Sequence, residues 1–330
     1  MTATIIFILV IAAALVFEYI NGFHDSANAI ATVVSTKVLS PRNALIYGAC
    51  LNFCGAFAGT HVAKTIGAGI VEKAAVTPEV ILCALLGAII WNLFTWFFGI
   101  PSSSSHALIG GLIGAAVAHS GFEFVNTRGL LEKVIIPMFT SPVIGFITGF
   151  FVMVVLLWIA AKSVPEKVNN KFKFLQLISS GVMAFSHGSN DAQKTMGIIT
   201  LALITHGFID GTNFAVPVWV IFVCALTMGL GTMAGGWRII HTIGSKVIKL
   251  KPIHGFAAET TSAFVILTSS FLGFPVSTTH IISTAIMGVG STVRFSAVKW
   301  GIVGNIVITW ILTIPVCAAL SAGLYWTFVR

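Results

Sequence analysis

The sequence predicts an all-α polytopic membrane protein made of two inverted-topology repeats with re-entrant helical hairpins and broken helices. Three observations predict it: charge is scarce, the apolar runs are long, and one set of polar motifs recurs in the same order in both halves. Of 330 residues, 57% are hydrophobic and 8% charged, with a mean hydropathy of +0.99; a soluble domain carries about 25% charged residues. That balance excludes a soluble globular protein. The runs lack the alternation of a membrane barrel and suit helical spans of about 20 residues, of which this length holds roughly ten to twelve, with no appended soluble domain. The net charge of +8 sits mostly in short loops, where topology explains it better than nucleic acid does. Ile5 to Phe17 has no basic region before it and no small-residue cleavage site after it, so it is a first span and not a signal peptide. Cys50, Cys54, Cys83, Cys224 and Cys317 all lie inside apolar runs and behave as small buried hydrophobes.

The duplication rests on three matches. Residues 22–32, GFHDSANAIAT, align with 188–198, GSNDAQKTMGI, pairing Gly22 with Gly188 and Asp25 with Asp191. Residues 59–67, GTHVAKTIG, align with 236–244, GWRIIHTIG. Residues 99–106, GIPSSSSH, align with 273–280, GFPVSTTH, pairing Pro101 with Pro275, Ser103 with Ser277 and His106 with His280. The first repeat is therefore 1–161, the second 174–330, and the stretch between, 162–173, carries Lys162, Lys167, Lys171 and Lys173. Such a basic linker is cytoplasmic by the positive-inside rule.

Counting outward from the linker, spans fall at 3–36, 43–66 and 134–161, with 78–119 entering and leaving on one face. In the second half they fall at 174–205, 213–236 and 298–327, with 256–290 as the second hairpin. Twelve basic residues then face the cytoplasm and five, including Arg330, face outward, and both termini are extracytoplasmic. An odd number of crossings per repeat inverts one repeat relative to the other, as in secondary transporters of the cytoplasmic membrane. The small-residue pairs Gly55 with Gly59, Gly145 with Gly149, and Gly231 with Gly235 allow close helix packing.

An ionisable group in an apolar run costs roughly 2.5–3.5 kcal/mol at the bilayer centre and marks function or pairing. Glu18, Asp25, Asp191 and Glu259 qualify. Asp25 and Asp191 follow glycine and are ringed by Asn, Ser, His or Gln, a composition that interrupts a helix. Glu18 aligns with Ala184 and divides evenly between pairing and function. In PSSSSH and PVSTTH, proline ends one helix and hydroxyls open the next. Two such N-termini meeting from opposite faces offer free N–H groups and partial positive charge to an anion, although capping alone would also explain the hydroxyls. His106 and His280 close these segments as secondary candidates.

With these residues the chain resembles the inorganic phosphate transporter family, closest to its bacterial low-affinity members, over essentially its full length. GFHDSANAIAT, HGSNDAQKTMG, GIPSSSSH and FPVSTTH match the family's paired signatures, and AETTSAF, Ala258 to Phe264, matches another block. The resemblance implies cation-coupled phosphate uptake. It places Asp25, Asn28, Asn190 and Asp191 in the cation and substrate region, and Ser103, Ser104, Ser105, Ser277, Thr278 and Thr279 on phosphate. Where sodium-coupled members have Asn-Asp-x-Ala-Asn-Ala, this chain has His24 before Asp25, and Gln193 and Lys194 after Asp191, the last two also expected among the substrate-binding residues. Lys194 aligns with Asn28 and puts an ammonium where a cation would bind, which favours H+ over Na+ coupling, with phosphate as a metal complex also open. Asp25, Asp191, Glu259, His24 and His187 are the candidates for the coupling ion.

The expected partners are thus inorganic phosphate, a co-transported cation (H+ before Na+ or a divalent metal) and membrane lipid, without nucleic acid or cofactor; a homo-oligomer is compatible. Sulfate is the alternative substrate, but it lacks the proton with which phosphate would donate a hydrogen bond to Asp25 or Asp191. An intramembrane serine hydrolase has the residue types without a G-x-S-x-G elbow. A passive anion channel does not call for acids that must be neutralised.

Overall fold

The computed structural model describes residues 2–329, with side chains from residue 4 onward, so Arg330 lies outside the described residues. Lipid cannot hydrogen-bond to the backbone, and the chain answers with helices. The first half contains α1 (Thr2–Ser35), α2 (Pro41–Gly55), α3 (His61–Ala68), α4 (Pro78–Phe98), α5 (Ser104–Ser120) and α6 (Thr127–Leu130). A π-helical turn at Leu131–Ile135 leads on into α7 (Ile136–Ala160). The second half contains α8 (Pro165–Thr205), α9 (Val218–Ala234), α10 (Trp237–His241) with a π-helical turn at Thr242–Lys246, α11 (Pro252–Phe271), α12 (Thr278–Ser291) and α13 (Trp300–Phe328). Among the described residues the β-structure is one isolated bridge, Val71 to Val125.

Element boundaries follow local chemistry. Ser40 accepts the Asn43 N–H ahead of Pro41, and Thr77 accepts the Val80 N–H ahead of Pro78, each an N-cap followed by the proline favoured at the first helical position. The hairpins turn at Gly99 (φ +65°) and Gly273 (φ +75°), left-handed conformations that glycine takes at no steric cost. Proline follows two residues later, and Ser103 and Ser277 then cap α5 and α12 by accepting the N–H of His106 and His280 at 3.2 and 3.3 Å.

Contacts between helices keep their pattern when the halves are exchanged. Helix α1 packs on α9 as α8 packs on α2; α1 packs on α4 as α8 packs on α11; α5 packs on α13 as α12 packs on α7. The last helix of each half thus covers the hairpin of the other. Two apolar cores result, one around α3, α4, α5 and α13, the other around α10, α11, α12 and the neighbouring turns of α1 and α8. Polar residues of α1 and α8 lie between them. Large apolar side chains such as Phe151 and Trp158 on α7 face outward, as a lipid-facing surface requires.

Several expectations need correction. Among the described residues, four helical segments are long and apolar enough to cross a membrane: Thr4–Ser35, Pro78–Phe98, Thr127–Ala160 and Trp300–Phe328. Val218–Ala234 with Trp237–Lys246, bent by 63°, makes a fifth. That is fewer than the length could hold because helices run to 34 and 41 residues and α8 is strongly polar. The motifs at Gly22–Asp25 and Gly188–Asp191 do not interrupt their helices. Their polar side chains bond mainly to other helices, and the glycines admit neighbours: a side chain at Gly22 would run into the Met228 carbonyl, and one at Gly188 into the Asn52 carbonyl. The breaks fall elsewhere, at 56–60 inside the expected span 43–66 and at Gly235 between α9 and α10. Consequently Gly59 and Gly235 sit at breaks, whereas Gly55, Gly145, Gly149 and Gly231 face the backbone of a packed helix. From Pro165 onward the basic linker is already helix α8. Cys50 and Cys54 are exposed, not buried, and all five cysteines are free.

Candidate functional site

His24, Asp25 and Asn28 on α1, His187, Asp191 and Lys194 on α8 and the hydroxyls opening α5 and α12 lie in the polar layer at no more than 3% exposure. Charges at that depth are tolerated only when paired. Helical periodicity explains which residues meet: positions 187, 191 and 194 share one face of α8, and 21, 25 and 28 share the equivalent face of α1.

On the first-repeat side, His24 Nδ1 lies 2.7 Å from Asp25 Oδ1, and its Nε2 lies 3.0 Å from Thr95 Oγ1. Asn28 Nδ2 donates to Thr279 Oγ1 at 2.8 Å and to Thr278 Oγ1 at 3.2 Å. Thr279 Oγ1 in turn donates to Asp25 Oδ1 at 3.5 Å. On the second-repeat side, Lys194 Nζ pairs with Asp191 Oδ1 at 2.5 Å, donates to Ser105 Oγ and reaches the Val276 carbonyl at 3.3 Å. Thr278 Oγ1 donates to Asp191 Oδ2 at 3.2 Å, and His187 Nε2 lies 3.3 Å from the same oxygen. Asn28 therefore holds the second hairpin, and its counterpart Lys194 reaches both, through Ser105 on the first and the Val276 carbonyl on the second.

Asp25, His187 and Asp191 each present one ligand atom, all within 4.8 Å of one another. Two carboxylates and an imidazole can hold a cation there, beside the N-termini of α5 and α12, which favour an anion. Ser104 Oγ, at the start of α5, is buried and has no hydrogen-bond partner.

Other candidates stand apart. Asn190 donates to Ser270 Oγ and the Phe274 carbonyl. Gln193 accepts the N–H of Val62 at 2.8 Å and donates to the Ser189 carbonyl, so it ties α3 to α8. Ser103 and Ser277 are spent as caps. Glu259 accepts from Thr32, Gln176 and Ser179 and shares no hydrogen bond with the aspartate pair. Glu18 accepts from Thr195. His106 and His280 pack on each other with ring centroids 4.9 Å apart, and His280 stacks on Trp310. Sequence reasoning missed Thr95 and Ser102 beside His24, and Asn52, which bridges His187 and Thr232. Asn52 was detectable as an amide within an apolar run.

A buried site of mixed charge, framed by re-entrant helix N-termini at the junction of two inverted halves, defines a membrane transporter of the secondary type. The chain belongs to the phosphate transporter family, whose profile matches residues 21–165 and 159–321. It is 49% identical to a probable low-affinity inorganic phosphate transporter of Rhizobium meliloti, covering 99% of this chain and 98% of the relative. A probable low-affinity inorganic phosphate transporter of Bacillus subtilis is 48% identical, with 98% and 97% covered. Among solved structures, the sodium-dependent phosphate transporter matches at a TM-score of 0.86 and 27% identity, over 99% of both chains. The chain is thus a transporter and not an enzyme.

Proposed function

We propose that this chain imports inorganic phosphate across the cytoplasmic membrane by symport, and that the coupled cation is a proton. Secondary transport of inorganic phosphate is supported by the family and by the two bacterial relatives. In this proposal phosphate is held by Ser104, Ser105, Thr278 and Thr279 at the two helix N-termini, with Asn28 and Lys194 placing the hairpins. The repeats are 1–161 and 174–330, the linker 162–173 is cytoplasmic and both termini are outside, as the distribution of basic residues supports.

The observation that carries the coupling is the Lys194 to Asp191 pair. Asp25, Asp191 and Lys194 sum to one negative charge, and phosphate adds one or two more. A positive charge must accompany it through the low-dielectric centre. Lys194 already neutralises Asp191, and its ammonium disfavours a second cation beside it. The remaining capacity lies at Asp25 with His24 and at His187, the groups to which we assign the coupled proton.

Sodium is the second reading. The likeness to the sodium-dependent phosphate transporter favours it over the proton, and the cluster of Asp25, His187 and Asp191 suits a divalent metal carried with phosphate as cargo. Uptake of radiolabelled phosphate into proteoliposomes, with sodium and pH gradients imposed separately and sulfate as competitor, tests all three. Uptake driven by inward protons without sodium supports the proposal. Uptake that demands sodium and ignores the pH gradient overturns it, and dependence on a divalent metal assigns the cluster to metal-phosphate.

A further inference from the structure

We propose that Thr65 with Gly273, and Thr242 with Gly99, are the two gates of the transport cycle, and that Arg238 is a positioning residue that holds the second gate shut. Thr65 Oγ1 donates to the Gly273 carbonyl at 2.7 Å, and Thr242 Oγ1 donates to the Gly99 carbonyl at 2.9 Å. The two threonines occupy the same place in the aligned motifs GTHVAKTIG and GWRIIHTIG, and the two glycines are the aligned hairpin tips. Each bond joins the short segment after a broken span to the hairpin of the opposite half. The fold's symmetry, not proximity in sequence, produces both.

Each latch bears directly on the site. From Gly273 the chain runs three residues to Val276, whose carbonyl accepts from Lys194, and on to Thr278 and Thr279. From Gly99 it runs to Ser102, beside His24, and to Ser105, which also accepts from Lys194. Moving a tip away from its short helix therefore moves the hydroxyls at the site. The short segments are in turn tied to residues adjoining the charged pair: Gln193, next to Lys194, accepts the Val62 N–H of α3, and Ser26, next to Asp25, accepts the Gly236 N–H at the start of α10, at 2.9 Å. A change of charge at the site thus has a short mechanical path to each latch. Both latches are closed, which accounts for the burial of the site on both sides.

The gates are unequal. Arg238 donates to the Phe97 carbonyl, and its guanidinium carbon lies 4.7 Å from the Phe97 ring centroid and 5.6 Å from that of Trp96, on the arm leading to Gly99. A charge-assisted hydrogen bond and cation–π contacts thereby reinforce this latch. On the opposite side the aligned residue is His61, which is exposed and lines a cavity of about 330 Å³ together with Lys64, Lys133 and Gly273. The Thr65 latch opens into that basic cavity, and by the distribution of loop charge it faces outward, so the weaker gate is the one that admits the substrate. This inference rests on the transporter class alone and not on the identity of the cation.

Pulsed electron–electron distance measurements in lipid nanodiscs test it, using spin labels at exposed positions: Lys64→Cys with Leu272→Cys across the first latch, and Phe98→Cys with His241→Cys across the second. Cys50 and Cys54 are replaced by serine in both. Thr242→Val should raise the open-to-closed ratio of the second pair about fivefold, the worth of one neutral hydrogen bond. Arg238→Gln should raise it more than about tenfold, and in both variants the first pair should stay as it was. Thr65→Val should open the first pair only. Thr65→Ser and Thr242→Ser keep the hydroxyl and should restore the closed distances, which a general loosening of the fold would not do. Latch variants that leave both distances unchanged, or widen both together, overturn the proposal.

Discussion

Asp25 and Asp191 occupy equivalent places on α1 and α8, yet they are compensated differently. Asp191 is paired with the buried Lys194, one helical turn away, and also has His187 beside it. Asp25 has a histidine at its side and, at the place of the lysine, the neutral Asn28. The backbone frame is symmetric and the electrostatics are not. The second half pairs its carboxylate with an ammonium, whereas the first half sets an imidazole beside its own. The difference teaches that duplicated carboxylates can be compensated differently within one backbone frame; under the proposed function, holding falls to the second copy and coupling to the first.

The largest test removes the fixed pair. Asp191→Asn strands a buried ammonium, and breaking a buried pair costs about 3–5 kcal/mol; thermal unfolding in detergent should register a large drop. Adding Lys194→Asn should restore the melting temperature without restoring transport, and a single variant as stable as the parent would refute the pairing argument. Asp25→Asn should leave stability nearly intact while phosphate uptake falls about 100-fold, or ~2.7 kcal/mol in the transport step. Lys194→Asn gives the second half the amide that the first carries at Asn28, and we expect phosphate uptake to become stimulated about tenfold by sodium. Sodium indifference in that variant would disconnect the lysine from ion choice. Asn28→Ala loses its bonds to Thr278 and Thr279 and should raise KM for phosphate about fivefold, measured by initial rates. Smallest of all, Glu18→Gln keeps an oxygen that accepts from Thr195, so uptake should change by no more than about twofold.

Much of this was legible in the sequence because it is written locally. Gly-x-Pro followed by hydroxyls marks both hairpin tips, and the expected hairpins at 78–119 and 256–290 lie within a few residues of α4–α5 and α11–α12. The meeting of Asp25, Asn28, Asp191 and Lys194 with the hairpin hydroxyls follows from the pairing of the repeats. What was not legible depends on neighbours. Gly22 in isolation signals a helix end, and only the approach of α9 reveals that it is there to admit another backbone. Gln193 was grouped with Lys194 by adjacency, but consecutive helical residues point about 100° apart, and Gln193 faces α3 instead. Glu259 carries the same signal as the aspartates, and only tertiary structure assigns it to Thr32, Gln176 and Ser179.

The exchange of hairpin covers also orders the assembly of the molecule in time. Helix α5 leaves the ribosome long before its partner α13, whereas α12 emerges with α7 already made. At synthesis rates of about 5–20 residues per second, the first hairpin waits roughly 10–40 s for its cover. During that interval its buried glycine face and capped hydroxyls must be sheltered by lipid or by the insertion machinery. The second hairpin docks on arrival. Nascent chains halted before residue 300 should therefore be the form most exposed to membrane quality control, and the early hairpin is the part that such surveillance would see.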